Sequence, residues 1–434
     1  MAEHDATTVR HDPYAALRYP NFARYIVVLF SLTLGIQIQG TVVGWQVYDI
    51  TKDPFALGMI GLAEALPAIG LALWGGHVAD RNDRRRVSLI ALWVLVACSA
   101  SLWVLAGIRP LGAEMLTPAR LTAIYGVIVL SGVARAFLQP ARQALSAELV
   151  PRTLFANAIT WRSGSWQLAA VIGPALGGLL YAAGGLRLAY GVDAALMVFA
   201  TALLFTISHR TPPREATTEG TLQSLTGGVR FVFREPVLLG ALTLDLFSVF
   251  FGGAVALLPI FAAEILKVGP TGLGVLRAAP AIGAVATSIV LARRRDWAHT
   301  GHVLLWSVFG FGACMVLFGL STSFYLSVAL LIASGVFDMV SVVIRSTLLQ
   351  ARTPEALLGR VSSVNQIFVG SSNEIGMFES GVTARWWGTA PSVVIAADDA
   401  TPQRSGTSLC TSNSAPCAGA RPCSRASTSR APSR

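Results

Sequence analysis

Hydrophobic positions in this chain do not alternate with polar ones. They fall into long runs separated by short polar breaks, approximately at 24–50, 55–78, 87–108, 121–145, 155–183, 188–207, 237–263, 271–292, 301–321, 324–350 and 361–384. A hydrocarbon core about 30 Å thick needs roughly 20 apolar residues per helix, so each run predicts one span and the chain reads as an all-α polytopic membrane protein. Residues 1–23 carry Asp, His and Arg without an apolar run. No cleavable signal is expected there, and the first span is itself the anchor. The polar break at 208–236, with Pro212 and Pro213, divides six spans from the five that follow. Leu222, Leu225, Val229 and Val232 recur within it at helical spacing, so part of it is expected to lie along the membrane interface. The predicted organisation is a first bundle over 1–207, a linker over 208–236, a second bundle over 237–395 and a tail over 396–434.

The tail breaks the pattern. Residues 391–397, PSVVIAA, look like the start of another span, but the run stops at Asp398 and Asp399. Beyond Ala400 the chain is rich in Ser, Thr, Ala, Pro, Arg, Gly and Cys without apolar periodicity, and it includes Arg404, Arg421, Arg425, Arg430 and Arg434. Such a composition cannot bury enough surface to order itself. Disorder is expected here, and translation from a shifted frame of a GC-rich gene would account for it.

Composition agrees with the spans. Of the 434 residues, 53% are hydrophobic and 13% charged, about half the charged fraction usual in soluble domains. The net charge of +10 invites a nucleic-acid reading, but position explains it better. With the N-terminus inside, the inner segments hold 18 Lys and Arg and the outer segments 6. Basic residues are retained on the cytoplasmic side, so a cytoplasmic N-terminus in a cell inner membrane is expected, with the lipid bilayer and no nucleic acid as partner. Only Lys52 and Lys267 are lysines, and neither follows a P-loop glycine or sits mid-span, which excludes P-loop ATP hydrolysis and a retinal Schiff base. His4, His11, His77, His209, His299 and His302 fall in loops or at span ends, so neither haem nor any other cofactor is expected. Cys98 and Cys314 stand alone in spans, and Cys410, Cys417 and Cys423 lie in the tail without a CxxC pair. No metal site is expected.

Between spans two and three stands GGHVADRNDRRR, residues 75–86. A glycine permits close helix approach, an acid follows four residues later, and Asp80 can accept charge-assisted hydrogen bonds from guanidinium groups. A retention signal made of arginines explains Arg84, Arg85 and Arg86 unaided, but leaves the spacing Gly76, Asp80, Arg81, Arg84, Arg85 unexplained. That spacing resembles the signature loop of the major facilitator superfamily, which implies a cytoplasmic gate made and broken as two halves rock. Asp83 stands where the superfamily usually has glycine.

Span five carries Gly173, Pro174, Gly177 and Gly178. Glycines four apart give a flat packing face, and proline kinks the helix. The set is similar to the superfamily's antiporter motif, with Ala169 at its first glycine, and implies export in exchange for protons. Span four carries Arg135, Gln139, Arg142 and Gln143 on one face. Arg142 and Gln143 mark its inner end. Arg135 lies deeper, where an arginine needs a cavity or a partner, and it is similar to the superfamily arginine implicated in proton transfer. The stretches 132–152, 334–365 and 371–381 resemble the branch of major facilitators that contains the enterobactin exporter. The resemblance covers roughly residues 14–395 and implies two six-helix bundles, with the twelfth helix here missing or truncated.

The other charges expected within spans are Glu64, Asp245, Asp338, Arg345 and Glu374. A buried acid is a candidate proton site because burial disfavours the charged form; a structural ion network through Asp338, Ser341 and Arg345 is the competing reading. Asp245 and Asp338 rank first, since the resemblance puts spans seven and ten beside the central cavity. Thr33, Gln37, Thr41 and Tyr48 share a face of span one; Gln37, Thr41 and Gln139 are the candidate substrate contacts. The expected function is proton-coupled export of a small amphipathic molecule, a siderophore or a drug, by a monomer working through alternating access. An importer or facilitator of the same fold and a non-transporting membrane sensor are the alternatives; a membrane-embedded enzyme lacks the nucleophile or metal set it would need.

Overall fold

Proline, glycine and capping side chains set the helix boundaries. The computed structural model describes residues 12–107, 116–208, 229–251, 254–291 and 300–400. Helix α1 runs Pro20–Thr51, α2 Pro54–Arg81, α3 Arg84–Gly107 and α4 Leu116–Glu148. Pro20 and Pro54 open their helices, where a missing N–H costs nothing. Asp53 caps α2 by accepting the Phe55 N–H at 3.0 Å. Phe155–Phe205 is broken at Gly184 and Gly185, and its parts, 155–183 and 186–205, are α5 and α6. Gly185 has φ 67°, a left-handed turn that glycine adopts without a Cβ penalty.

In the second half α7 is Pro236–Phe251, followed by a short helical segment at 254–265 that ends in a π turn, Phe261–Ile265. Then come α8 Gly269–Leu291, α9 Thr300–Leu320, α10 Phe324–Arg352, α11 Glu355–Trp387 and α12 Thr389–Ala400. Among the described residues eight helical stretches are long and apolar enough to cross a membrane, and one of them, Arg152–Phe205, has length for two crossings. The expected span at 237–263 is not a single α-helix, since residues 254–257 form a 3-10 turn. Helix α11 is longer than expected, and Asn365, Asn373, Glu374 and Glu379 dilute its apolar character.

The domain boundary expected at residue 395 falls inside α12, whose backbone stays helical to Ala400. The rest of the predicted tail, 401–434, lies outside the described residues, as do Leu222 and Leu225 of the linker. Val232 is buried with Leu238, Leu242, Leu349, Val361 and Val364.

Trp74, Trp93, Phe205, Trp306, Leu320 and Tyr325 are exposed on the outside of the bundle, as a lipid solvent allows. The buried core is divided unevenly. Towards the end that carries the α1–α2 turn, one cluster joins both halves through Ile38, Val42, Tyr48, Leu257, Phe261, Leu273 and Phe318. Towards the end that carries residues 81–86, each half has its own cluster, Phe22, Leu92, Leu145 and Leu204 in the first and Leu238, Leu349 and Val361 in the second. Among the described residues the buried core joins the halves at the first end and parts between them at the second.

Candidate functional site

Backbone contacts make the seal. A Cβ built on Gly178 of α5 would lie 2.4 Å from the Pro270 carbonyl oxygen, and one on Gly381 of α11 would lie 2.6 Å from the Gly58 Cα. Such approaches need glycine at the crossing, and Gly274 faces Gly178 beside Pro270. Side chains latch the same end: the Tyr48 hydroxyl donates to Glu264, and Arg385 pairs with Asp53 at 3.5 Å. Gly173 and Gly177 pack on α1, at Gln37 and Ile38, while the buried Pro174 presents its carbonyl to Gly274 of α8. Gly178→Val is expected to hold α5 and α8 apart, at a cost of about 1–3 kcal/mol for overpacking. Loss of bis-maleimide cross-linking between Tyr48→Cys and Glu264→Cys in the Gly178→Val background checks it; parental cross-linking would refute it.

On the parted side lies a cavity of about 840 Å³ lined by both halves. Tyr25 and Gln37 come from α1, Arg142 from α4, Arg162 and Trp166 from α5, Arg277 from α8, Phe311 from α9, Asp338 from α10, and Asn373 and Met377 from α11. Of the expected substrate contacts only Gln37 lines it. Thr41 is buried under Gly177, its hydroxyl donating to the Gln37 carbonyl at 2.9 Å. Gln139 is exposed and lines no part of the cavity; one turn further, Arg142 and Gln143 take that place.

Above the cavity floor four charges converge on the seam. Glu64 of α2 forms an ion pair with Arg135 of α4, and Arg135 also donates to the Ser131 hydroxyl at 3.3 Å. From the other half Glu374 of α11 lies within electrostatic reach of Glu64, Arg135 and Arg277. Arg277 donates to the Gly40 carbonyl of α1 at 2.7 Å. Each half thus supplies one acid and one base. One oxygen of Glu374 is buried without a hydrogen-bond partner, and an unsatisfied buried carboxylate oxygen is costly. Sequence reasoning named Glu64, Arg135 and Glu374 but missed Arg277, although the same signal, a lone arginine within an apolar run, marks it in GLGVLRAAPAIG. It also missed Asp193, which is fully buried in α6 beside Ser99. Asp338 lines the cavity; the Asp245 side chain lies outside the described residues. Arg345 is buried, its Nε donating to the Ser341 carbonyl at 3.4 Å.

At residues 75–86 the close approach belongs to Gly75, where a Cβ would meet the Ala136 carbonyl of α4 at 2.2 Å, and not to Gly76, which faces open space. One residue of rotation, about 100°, turns Gly76 off the α4 contact. The backbone of α2 passes through Asp80, whose side chain lies outside the described residues. Arg81 is exposed. Arg84 pairs with Glu148 of α4 at 2.5 Å, and Arg85 donates to the Phe205 carbonyl of α6 at 2.7 Å. Asp83, where glycine is usual, accepts the Arg85 N–H at 2.9 Å and so caps α3.

Comparison with known proteins agrees with this architecture. The family model described as transmembrane secretion effector matches residues 11–399. The enterobactin exporter EntS of Shigella flexneri is 30% identical over 352 residues, covering 80% of each chain. Among solved structures, the nucleoside transporter NupG superposes with TM-score 0.68 at 13% identity over 88% of this chain and 97% of its own. A bacterial homologue of the iron transporter ferroportin does so with TM-score 0.68 at 16% identity, over 88% and 98%.

Proposed function

The chain belongs to the transmembrane secretion effector family of major facilitator transporters, and on that premise we propose that it exports a small amphipathic molecule in exchange for protons by alternating access. It is a multi-pass membrane transporter and not an enzyme. The observation that carries the coupling is the cluster of Glu64, Arg135, Glu374 and Arg277, which spans the seam with an acid and a base from each half. Two attractions cross the seam, Glu374 with Arg135 and Arg277 with Glu64, against one repulsion, between Glu374 and Glu64. A proton on Glu374 removes both of its interactions across the seam and leaves the unpartnered oxygen able to donate or accept a hydrogen bond; with only Arg277 and Glu64 then holding the halves, the seam is proposed to loosen. Loss of the proton restores the attraction to Arg135 and draws α4 and α11 together again. Asp338, on the cavity wall, is the second candidate acid.

Loop charge supports a cytoplasmic N-terminus in the inner membrane. The cavity then opens to the cytoplasm, where cargo is loaded, and the transporting unit is one chain. Each proton returning down 100 mV supplies about 2.3 kcal/mol. A siderophore or a drug fits the family, and enterobactin, named for the relatives, is the first cargo to try. Proteoliposomes with an imposed pH gradient test the reading: enterobactin flux is expected to follow the gradient and to collapse with a protonophore. Flux indifferent to the gradient would mean a facilitator.

The 75–86 loop is assigned to the gate. Asp80→Asn is expected to depress flux while expression and topology persist, because the change makes the loop more positive and so reinforces retention. Normal flux in that variant would reduce the loop to a topology signal.

A further inference from the structure

We propose that the cavity takes an amphipathic organic anion, gripped by Arg142 and Arg162 with its apolar body against Trp166. Both arginines line the cavity, from α4 and α5, and they lie within electrostatic reach of each other. Arg162 donates to the Ser146 hydroxyl at 3.2 Å, and Arg142 is approached by the Tyr25 hydroxyl, which donates to its backbone carbonyl at 2.8 Å. Among the described residues neither guanidinium has a carboxylate in ion-pair contact. Arg277 differs, because Glu64 and Glu374 balance it.

The single acid among the described lining residues is Asp338, on the facing half. The wall at Arg142 and Arg162 therefore carries two positive charges that no described carboxylate on that wall balances. Such a pair repels itself and costs free energy within a membrane protein. A bound anion removes that cost, and the planar forks of two guanidinium groups suit the oxygens of a sulfonate, carboxylate or phosphate. Trp166, Phe311 and Met377 supply aromatic and soft apolar surface for the rest of the ligand.

The inference rests on the export reading only for the direction in which the anion moves. The test uses the full chain in phosphatidylcholine nanodiscs, titrated by calorimetry with naphthalene-2-sulfonate, its neutral sulfonamide and the cation 2-naphthylmethylammonium. The sulfonate is expected to bind about tenfold or more tightly than the sulfonamide, and the cation not to bind. Arg142→Gln with Arg162→Gln erases the difference; Arg142→Lys with Arg162→Lys, which keeps both charges, retains part of it and serves if the first pair fails to fold. Equal binding of sulfonate and sulfonamide, or an unchanged preference in the glutamine pair, overturns the proposal.

An anionic lipid headgroup offers the same charge as a soluble anion. Competition by phosphatidylglycerol in the nanodisc identifies the headgroup as the anion held, and lack of competition identifies a soluble one. In vesicles with a pH gradient, sulfonate that binds but does not move keeps the anion site and defeats the export reading. Movement of the cation without the sulfonate keeps export and defeats the site.

Discussion

Glu374→Gln is expected to abolish transport driven by a pH gradient while leaving exchange of cargo across the membrane at equal pH. Glutamine keeps the size of the side chain and removes the charge that reaches across the seam to Arg135. Without a titrating group on α11 the seam no longer responds to protons, so cargo and proton movements separate. Exchange asks only that the loaded protein rock between its two openings, which remains available. Paired assays in proteoliposomes, one with a pH gradient and one with labelled cargo on one side only, distinguish the two activities. Gradient-driven flux at the parental rate in Glu374→Gln would move the coupling to Asp338.

Arg135→Leu is expected to lower stability by about 3 kcal/mol, because removing one member of a buried ion pair strands the other. Arg135 and Glu64 are only 27% and 18% exposed, so water screens the pair weakly. Glu64→Leu added to Arg135→Leu should restore much of the loss, since two apolar side chains leave no orphaned charge. A double-mutant cycle read by thermal unfolding in detergent measures this coupling. Additive losses would mean that the two side chains act independently and that the pair is incidental.

How far these sites could be read from the sequence depends on the distance over which each residue acts. Spans declare themselves locally: Pro20, Asp53, Pro54 and Gly388 mark boundaries that apolar runs already indicate. Arg135 stood out because a charge in a span needs a partner, and the partner, Glu64, came from the same rule applied to α2. What the rule cannot supply is which charges meet, since Glu64, Arg135, Arg277 and Glu374 sit on four helices drawn together only by packing. The glycines illustrate the same limit. Gly75 and Gly76 are neighbours in sequence, but helix rotation decides which touches α4. Thr41 shares a face with Gln37 by spacing, and Gly177 brings α5 down on top of it. The 3-10 turn at 254–257 gave no signal of its own, because it lies inside an apolar run.

Protonation of the four-charge cluster is expected to move the seam between the halves. Pulsed electron-electron resonance between spin labels on Asp49→Cys and Trp386→Cys, both exposed at the sealed end, reports that movement without any cargo. As pH falls, a longer-distance population is expected to grow in the parent and to be present at every pH in Glu374→Gln. The same pH response in the parent and in Glu374→Gln would contradict it.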